Sequence, residues 1–200
     1  MLKRLSVSAV SVLLLLSFPA APVHANTLQN LLVIYEEEVN IQTHYIAYAQ
    51  RAEEEGYRGA AALFRAVAKA SEISVKRLLK SIQKLGGFPH IVIESFPVDT
   101  TRQNLDTAAR VEQFEWKRLY PQFVEEARRE NILEPIEAMT WAKTAQNQHA
   151  GLFRRAMDSL EEWRADRTFY VCSVCGYSLM GRPGRQCPSC HEVDSFGTVS

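Results

Sequence analysis

Four cysteines lie close together near the end of the 200-residue chain, and their spacing is typical of a metal site. Cys172 and Cys175 form one Cys-x-x-Cys pair, and Cys187 and Cys190 form a second after eleven intervening residues (187 − 175 − 1 = 11). In such pairs backbone N–H groups surround the sulfurs while four thiolates converge on one ion. The spacing therefore predicts a tetrathiolate metal site.

Disulfides and zinc are the alternatives to an iron ion at this site. In an oxidising compartment the same four cysteines could form two disulfides. The segment over residues 168–200 is too short to build its own core, and a bound metal would hold it together. Tetrahedral sulfur coordination suits both iron and zinc. We expect one redox-active iron ion, and a structural zinc ion stays open.

A second set of candidate ligands lies in the helical body. Glu38, Glu112, Glu115 and His149 each fall on an otherwise apolar helical stripe. Carboxylates aimed into a core cost several kcal/mol if they are unpaired, and a bound cation removes that cost. The pattern predicts a metal site inside the body. Taken alone, His149 would be a hydrogen-bonded core histidine.

The elements that carry these residues are helical. Apolar residues recur at helical spacing in four stretches, which predict helices over residues 27–55, 58–85, 105–131 and 135–167. Pro89 and Pro97 lie in residues 88–103, which carry no helical period. We expect this segment to interrupt the helices.

An internal repeat relates the first two helices to the last two. Tyr45 falls on Tyr120 (120 − 45 = 75), and Phe64 falls on Met139 at the same offset. Two hairpins joined by one long crossover describe a ferritin-like four-helix bundle, a mainly α fold. Four unrelated amphipathic helices are the alternative. We divide the chain into a leader (1–25), a bundle (26–167) and a small rubredoxin-like metal ribbon (168–200).

The first residues have the pattern of a cleavable signal peptide. Lys3 and Arg4 precede an apolar run over residues 5–18 (18 − 5 + 1 = 14), which is shorter than the ~20 residues that span a bilayer. Small residues at Val23 and Ala25 predict cleavage after Ala25. We expect an exported, periplasmic protein without a membrane anchor after cleavage.

Composition excludes several functional classes. Lys plus Arg number 23 and Asp plus Glu number 23, so no basic surface for nucleic acid is indicated. No Gly-x-Gly-x-x-Gly motif for a pyridine nucleotide is present. A redox reaction here would need another protein as electron donor.

The combined pattern resembles the rubrerythrin family over residues 27–200. The segment over residues 30–38 leading to Tyr45, the Glu112-x-x-Glu115 segment before Tyr120-Pro121, and Cys172-Ser-Val-Cys175-Gly-Tyr are similar to family motifs. The resemblance implies a di-iron bundle followed by a rubredoxin-like iron domain. It places Glu38, Glu112, Glu115 and His149 at metal-ligand positions.

The chain departs from the family at three ligand positions. The family has Glu-x-x-His on the second and fourth helices. Here Ser71 and Ser74 occupy the first pair, and Gln146 precedes His149 in the second. Three carboxylates and one histidine are a short set for two metals. A bundle with two metal ions, with one or with none stays open.

The resemblance implies that the protein reduces hydrogen peroxide and forms a head-to-tail homodimer. In such a dimer the iron–sulfur domain of one subunit lies near the bundle of another. Tyr45 and Tyr120 are expected to donate hydrogen bonds to ligand carboxylates. Three functions follow as alternatives: a peroxide-reducing oxidoreductase, an electron carrier that uses only the four-cysteine iron, and a structural zinc protein with an empty bundle.

Overall fold

A computed structural model describes residues 25–200 of the chain. The leader lies outside the described residues except for Ala25, so its cleavage and the export of the protein stay predictions. The described elements, in order, are α1 (Ala25–Glu54), α2 (Arg58–Lys84), α3 (Thr101–Phe114), a π-helical turn (Glu115–Leu119), α4 (Tyr120–Arg129), α5 (Glu134–Asp158), a 3-10 turn (Leu160–Arg164), β1 (Phe169–Cys172), β2 (Ser178–Met180) and β3 (Phe196–Val199). No helix within residues 25–200 is long and apolar enough to cross a membrane.

The third predicted helix begins earlier than expected and contains an irregular turn. It begins at Thr101 because the Thr100 side chain accepts a hydrogen bond from the Gln103 backbone N–H, and the Gln103 side chain accepts one from the Thr100 N–H. The π-helical turn then joins α3 to α4 without breaking the helix. A π turn accommodates one extra residue, which helical periodicity in the sequence did not reveal.

The fourth predicted helix ends earlier than expected. Residue 167 was its predicted end, but α5 ends at Asp158 because Ser159 leaves the helical conformation (φ −129°, ψ 44°). The 3-10 turn that follows buries Leu160 and Trp163. The Trp163 ring stacks on Phe169, with ring centroids 6.3 Å apart. The turn therefore attaches the bundle to the first strand of the ribbon.

The predicted bundle with a long crossover is confirmed. Residues 85–100 contain no helix or strand and connect α2 to α3. The buried Asn40 side chain on α1 holds this crossover by donating to Val92 O (3.1 Å) and accepting from Glu94 N–H (3.0 Å). The side-chain amide of Asn40 therefore provides hydrogen-bond partners for two backbone groups of the crossover, which lie outside any helix or sheet.

The core consists of two apolar clusters with a polar layer between them. One cluster is built around Tyr45, Phe64 and Phe153, and the other around Leu31, Leu78 and Met139. The residues between the two clusters along α1, α2, α3 and α5 are polar and buried: Glu38, Ser71, Glu112, Glu115, Gln146 and His149. This polar layer contains the predicted bundle ligands and two of the three departures from the family pattern.

The ribbon is a three-stranded antiparallel sheet in the order β2-β1-β3. Cys172 is the last residue of β1, and Cys175, Cys187 and Cys190 lie between β1 and β3. The sheet packs mainly against α2. The cysteine region therefore lies on the same side of the bundle as the helix that carries Ser71 and Ser74.

Candidate metal centres

The four cysteines gather as predicted. One ligand sulfur from each of Cys172, Cys175, Cys187 and Cys190 lies within 4.8 Å of all the others. The Cys172–Cys190 and Cys175–Cys187 sulfurs are each 3.6 Å apart. A disulfide needs about 2.05 Å, whereas a tetrahedron with metal–sulfur bonds of about 2.3 Å has edges of about 3.8 Å. The thiols therefore fit a single tetrahedral metal ion and do not form disulfides.

The two Cys-x-x-Cys segments have the same backbone geometry. Gly176 N–H donates to Cys172 O (2.9 Å), and His191 N–H donates to Cys187 O (3.0 Å). Both donors follow the second cysteine of their pair and have positive φ, 78° for Gly176 and 63° for His191. The left-handed residue closes each turn, so that both cysteines of a pair face the same point.

Hydrogen bonds within the cluster change the acidity of its thiols. A hydrogen bond from Cys175 and a smaller contribution from the Ser195 hydroxyl, 3.2 Å from the Cys172 sulfur, lower the pKa of Cys172 to about 4. Burial raises the pKa of Cys190 to about 11. A metal cation that binds the four sulfurs displaces the protons that the thiols still carry.

The two tyrosines of the repeat make reciprocal hydrogen bonds in the polar layer. Tyr45 on α1 donates to Glu112 (3.0 Å), and Tyr120 on α4 donates to Glu38 (2.9 Å). The expected hydrogen bonds from both tyrosines to carboxylates are confirmed.

The π-helical turn explains the offset between the two halves of the repeat. The tyrosines are 75 residues apart (120 − 45), whereas Glu38 and Glu112 are 74 apart (112 − 38). The turn over Glu115–Leu119 lies between Glu112 and Tyr120 and supplies the extra residue. Glu38 and Glu112 are therefore equivalent positions in the two halves.

Residues that replace family ligands now donate hydrogen bonds to the carboxylates. The Gln146 amide donates to Glu115 (2.5 Å) and to Glu38 (3.3 Å). The Ser74 hydroxyl donates to Glu38 (3.1 Å). Neutral donors therefore occupy carboxylate oxygens that a metal ion would use in the family pattern.

The surroundings of Glu38 and Glu115 favour the protonated forms of these two side chains. Burial and repulsion from Glu112 raise the pKa of Glu38 to about 7, against hydrogen bonds from Tyr120 and the two serines. Burial and repulsion from Glu38 raise the pKa of Glu115 well above its ordinary value of 4.5. The polar layer therefore gains protons near neutral pH when no cation lies in it.

His149 links the polar layer to the ribbon. The imidazole Nε2 lies 3.0 Å from Ser178 Oγ, and Nδ1 lies 3.4 Å from Glu112 Oε2. Because the Ser178 hydroxyl donates to Gly176 O (3.0 Å), it accepts from Nε2–H. Nδ1 is then the ring nitrogen that faces the carboxylate.

The polar layer offers a short ligand set for a two-iron centre, because Ser71, Ser74 and Gln146 occupy three ligand positions of the family pattern. The cavity in this layer has a volume of about 10 Å³, which is about the space that one water molecule needs. Its lining includes Glu38, Gln146 and His149. Among residues 25–200, the four cysteines are the one group of three or more metal-binding side chains whose ligand atoms all lie within 4.8 Å. Two buried oxygens, Glu112 Oε2 and Gln146 Oε1, have no hydrogen-bond partner. Metal binding by Glu38, Glu112, Glu115 and His149 stays a prediction.

The ribbon packs directly on the polar layer of the same chain. Cys175 lines the same small cavity as Glu38 and His149. A Cβ on Gly176 would lie 3.1 Å from the Ala70 carbonyl oxygen, so the two segments are in close contact. Arg77 donates to Val174 O, and its guanidinium lies 4.2 Å from the centre of the Trp141 ring.

Sequence reasoning missed the residues that make this contact. Ser178, Gly176 and Arg77 were not predicted to have a role at the junction. The small residues Ala70 and Ser71 on α2 were a usable signal, because a helix approached closely by another backbone needs small side chains.

The helical bundle and the four-cysteine ribbon together define a ferritin-like protein with a rubredoxin-like C-terminal region. The rubrerythrin family model matches residues 29–157, which is more than half of the chain. The chain belongs to the rubrerythrin family.

Individual relatives agree with this assignment. Nigerythrin from Nitratidesulfovibrio vulgaris strain Hildenborough is 28% identical over 173 residues, covering 86% of this chain and 85% of nigerythrin. A putative rubrerythrin from Methanocaldococcus jannaschii is 29% identical over 187 residues, covering 86% of this chain and 92% of the relative. The solved structure of fully reduced, all-ferrous nigerythrin matches with a TM-score of 0.82 at 27% identity, covering 92% of this chain and 91% of that one.

Proposed function

We propose that this protein transfers electrons through one iron ion bound by Cys172, Cys175, Cys187 and Cys190. The observation that carries the proposal is the convergence of the four sulfurs within 4.8 Å. An iron ion held by four thiolates accepts and returns one electron without exchanging a ligand.

The surrounding residues suit this role by holding the thiolates rigidly and limiting water. Cys172, Cys175 and Cys187 are buried, and Trp141, Tyr177 and Phe196 pack around them. The backbone turns at Gly176 and His191 fix the cysteine positions. A rigid, poorly hydrated site rearranges little when its charge changes, which favours rapid electron exchange.

The geometry of the four thiols suits both iron and zinc. The relatives favour iron. The reduced state of nigerythrin is described as all ferrous. We propose that this chain also binds iron.

Peroxide reduction is the second candidate function, and it would use one metal ion in the polar layer. The observation that favours it is the pair formed by Glu112 and His149. Glu112 Oε2 lacks a hydrogen-bond donor, His149 Nδ1 faces it at 3.4 Å, and the other imidazole nitrogen is held by Ser178. A histidine ligand whose second N–H is fixed in this way is typical of metal sites.

Visible spectroscopy of the purified protein tests the first proposal. We expect a red iron–thiolate spectrum that dithionite bleaches and air restores. Cys187→Ser should lose the colour, while Ser189→Ala, two positions away, should keep it. Circular dichroism checks that the helices of both variants are intact. A colourless wild-type protein containing zinc would contradict the proposal.

Stopped-flow mixing with hydrogen peroxide tests the second candidate. If the polar layer reduces peroxide, reduced wild-type protein should be reoxidised at least about tenfold faster than Glu112→Gln. Equal rates would reject peroxide reduction in the bundle and leave the electron carrier unaffected.

We also propose that the protein is exported after cleavage following Ala25. Support comes from the positive residues and the apolar run of the leader. N-terminal sequencing of the protein from a periplasmic fraction should begin at Asn26. Protein that retains the leader in the cytoplasmic fraction would contradict this.

A further inference from the structure

We propose that a basic cleft between α2 and the ribbon is the docking surface for an acidic electron-donor protein; this rests on the proposed electron-transfer function. The cleft has a volume of about 530 Å³. On one side α2 contributes Lys69, Ile73, Lys76, Arg77 and Lys80, and on the other the ribbon contributes Val171, Ser173, Val174 and residues 197–199. We call it the α2–ribbon cleft.

The α2–ribbon cleft carries an excess of positive charge. Four of its lining residues are cationic, and none is acidic. Glu72 lies nearby and pairs with both Lys69 (2.7 Å) and Lys76 (2.6 Å). Within residues 25–200, no acidic side chain forms an ion pair with Arg77 or Lys80. Four positive charges against one negative charge leave a local excess in a chain whose formal net charge is zero.

The α2–ribbon cleft lies next to the four-cysteine site. Ser173 and Val174 both line the cleft, and they are the two residues between Cys172 and Cys175. Ser173 is exposed, and Val174 is half-buried. A partner seated in the cleft therefore contacts residues covalently joined to two of the four metal-binding cysteines.

Arg77 fixes the wall of the cleft in place. Its side chain donates to Val174 O and stacks over Trp141 on α5. The basic helix and the first cysteine turn are thereby held together. We treat Arg77 as a positioning residue and assign the attraction of the partner to the exposed lysines.

The length of the basic stripe favours a protein over a small anion. Lys69 and Lys80 are eleven residues apart on one helix (80 − 69 = 11), which is about 16 Å at 1.5 Å per residue. One small anion cannot contact charges over that length, whereas the acidic face of a protein can. Complementary charge of this kind raises association rates and makes them dependent on salt.

The electron-transfer step is simple. With iron held by the four cysteines, the reduced donor would give up one electron and the ferric ion would take it up, and no bond would form or break. The donor loses one electron for each iron ion reduced. The lysines contribute by orienting the donor over Ser173 and Val174.

The probe is a reduced plant-type ferredoxin with an acidic surface, because its low-potential iron–sulfur cluster can act as the electron donor. We would measure its binding to the full chain by calorimetry and its electron transfer by stopped flow, both at low ionic strength. We expect Lys69→Glu/Lys80→Glu to slow electron transfer by about tenfold or more. Lys69→Gln/Lys80→Gln should have an intermediate effect. The matched control, Lys117→Glu/Arg118→Glu on the π-helical turn, changes the same total charge away from the cleft.

The outcomes separate this proposal from the proposed function. Weaker binding in the cleft variant, with the control unaffected, supports docking even if the metal proves to be zinc. A red protein that binds ferredoxin equally well in all variants would overturn docking and leave the electron carrier standing. Loss of binding in phosphate but not in chloride of equal ionic strength would show that the cleft takes a small anion, and would also overturn it.

Discussion

Ser178 and His149 join the ribbon to the bundle through a buried contact of 3.0 Å between Oγ and Nε2. The family resemblance implied that the iron–sulfur domain of one subunit approaches the bundle of another. Here the ribbon of the chain contacts the polar layer of its own bundle. A second chain is therefore not required to bring the cysteine site close to His149.

Ser178→Ala should destabilise the protein by about 1–2 kcal/mol, because it leaves the buried His149 N–H without a partner. Ser189→Ala is the matched control, since the Ser189 hydroxyl has no hydrogen-bond partner. Urea unfolding at equal metal content measures both. Equal stability of the two variants would mean that the contact contributes nothing.

Gly176→Ala should loosen the ribbon from the bundle. Gly176 has φ 78°, and a Cβ there would lie 3.1 Å from Ala70 O and 3.3 Å from Ala70 Cβ. Gly86 has nearly the same φ, 77°, with nothing within 4 Å of an added Cβ. Gly86→Ala therefore measures the backbone cost alone, about 1 kcal/mol.

We expect Gly176→Ala to cost at least about 1 kcal/mol more than Gly86→Ala in urea unfolding, because the tight contact adds to the backbone cost. A similar loss in both variants would argue against close packing of Gly176 on Ala70.

The features that depend on local spacing were predictable from the sequence. The spacing of two Cys-x-x-Cys pairs predicts a tetrathiolate cluster without reference to the rest of the fold. The helical stripes placed Glu38 and His149 in the core, and the repeat paired Tyr45 with Tyr120, whose hydrogen bonds to carboxylates were expected.

The features that depend on tertiary packing were not predictable. The π-helical turn over Glu115–Leu119 does not interrupt the helix, and its signal in the sequence was the difference between offsets of 74 and 75 residues. The seating of the ribbon on α2 depends on the close approach of Gly176 to Ala70. The residue pattern of one segment does not indicate which surface of the protein that segment will pack against.

Stability should fall as pH rises if no cation occupies the polar layer. The pKa of Glu38 is about 7 in the folded protein, above its ordinary value of 4.5. Its protonated form therefore contributes stability fully below about pH 4.5, and that contribution is lost as pH rises through 7. The difference corresponds to about 3 kcal/mol.

Urea unfolding between pH 5 and pH 8 checks this dependence, using protein with zinc in the cysteine site and no other divalent metal. Glu38→Gln should flatten the pH profile. A wild-type profile that is level or rises toward pH 8 would indicate that a cation holds the carboxylates ionised.

Gln146→Glu should destabilise the metal-free polar layer at pH 8. It removes the amide that donates to Glu115 and Glu38 and adds a fourth carboxylate among them. We expect a loss of about 3 kcal/mol or more at pH 8, and less at pH 5. Asn147→Asp, at the adjacent exposed position, adds the same charge outside the layer and should have little effect. Equal losses in the two variants would refute the hydrogen-bonding role of Gln146.

The metal content of the purified protein, measured as iron and zinc per chain, tests the central claim most directly. We assign one iron ion to the four cysteines and no two-iron centre to the bundle. This assignment predicts about one iron per chain in the wild type and none in Cys187→Ser. About two irons per chain would indicate the single bundle metal of the second candidate function. Zinc in place of iron, or about three irons per chain, would contradict the assignment.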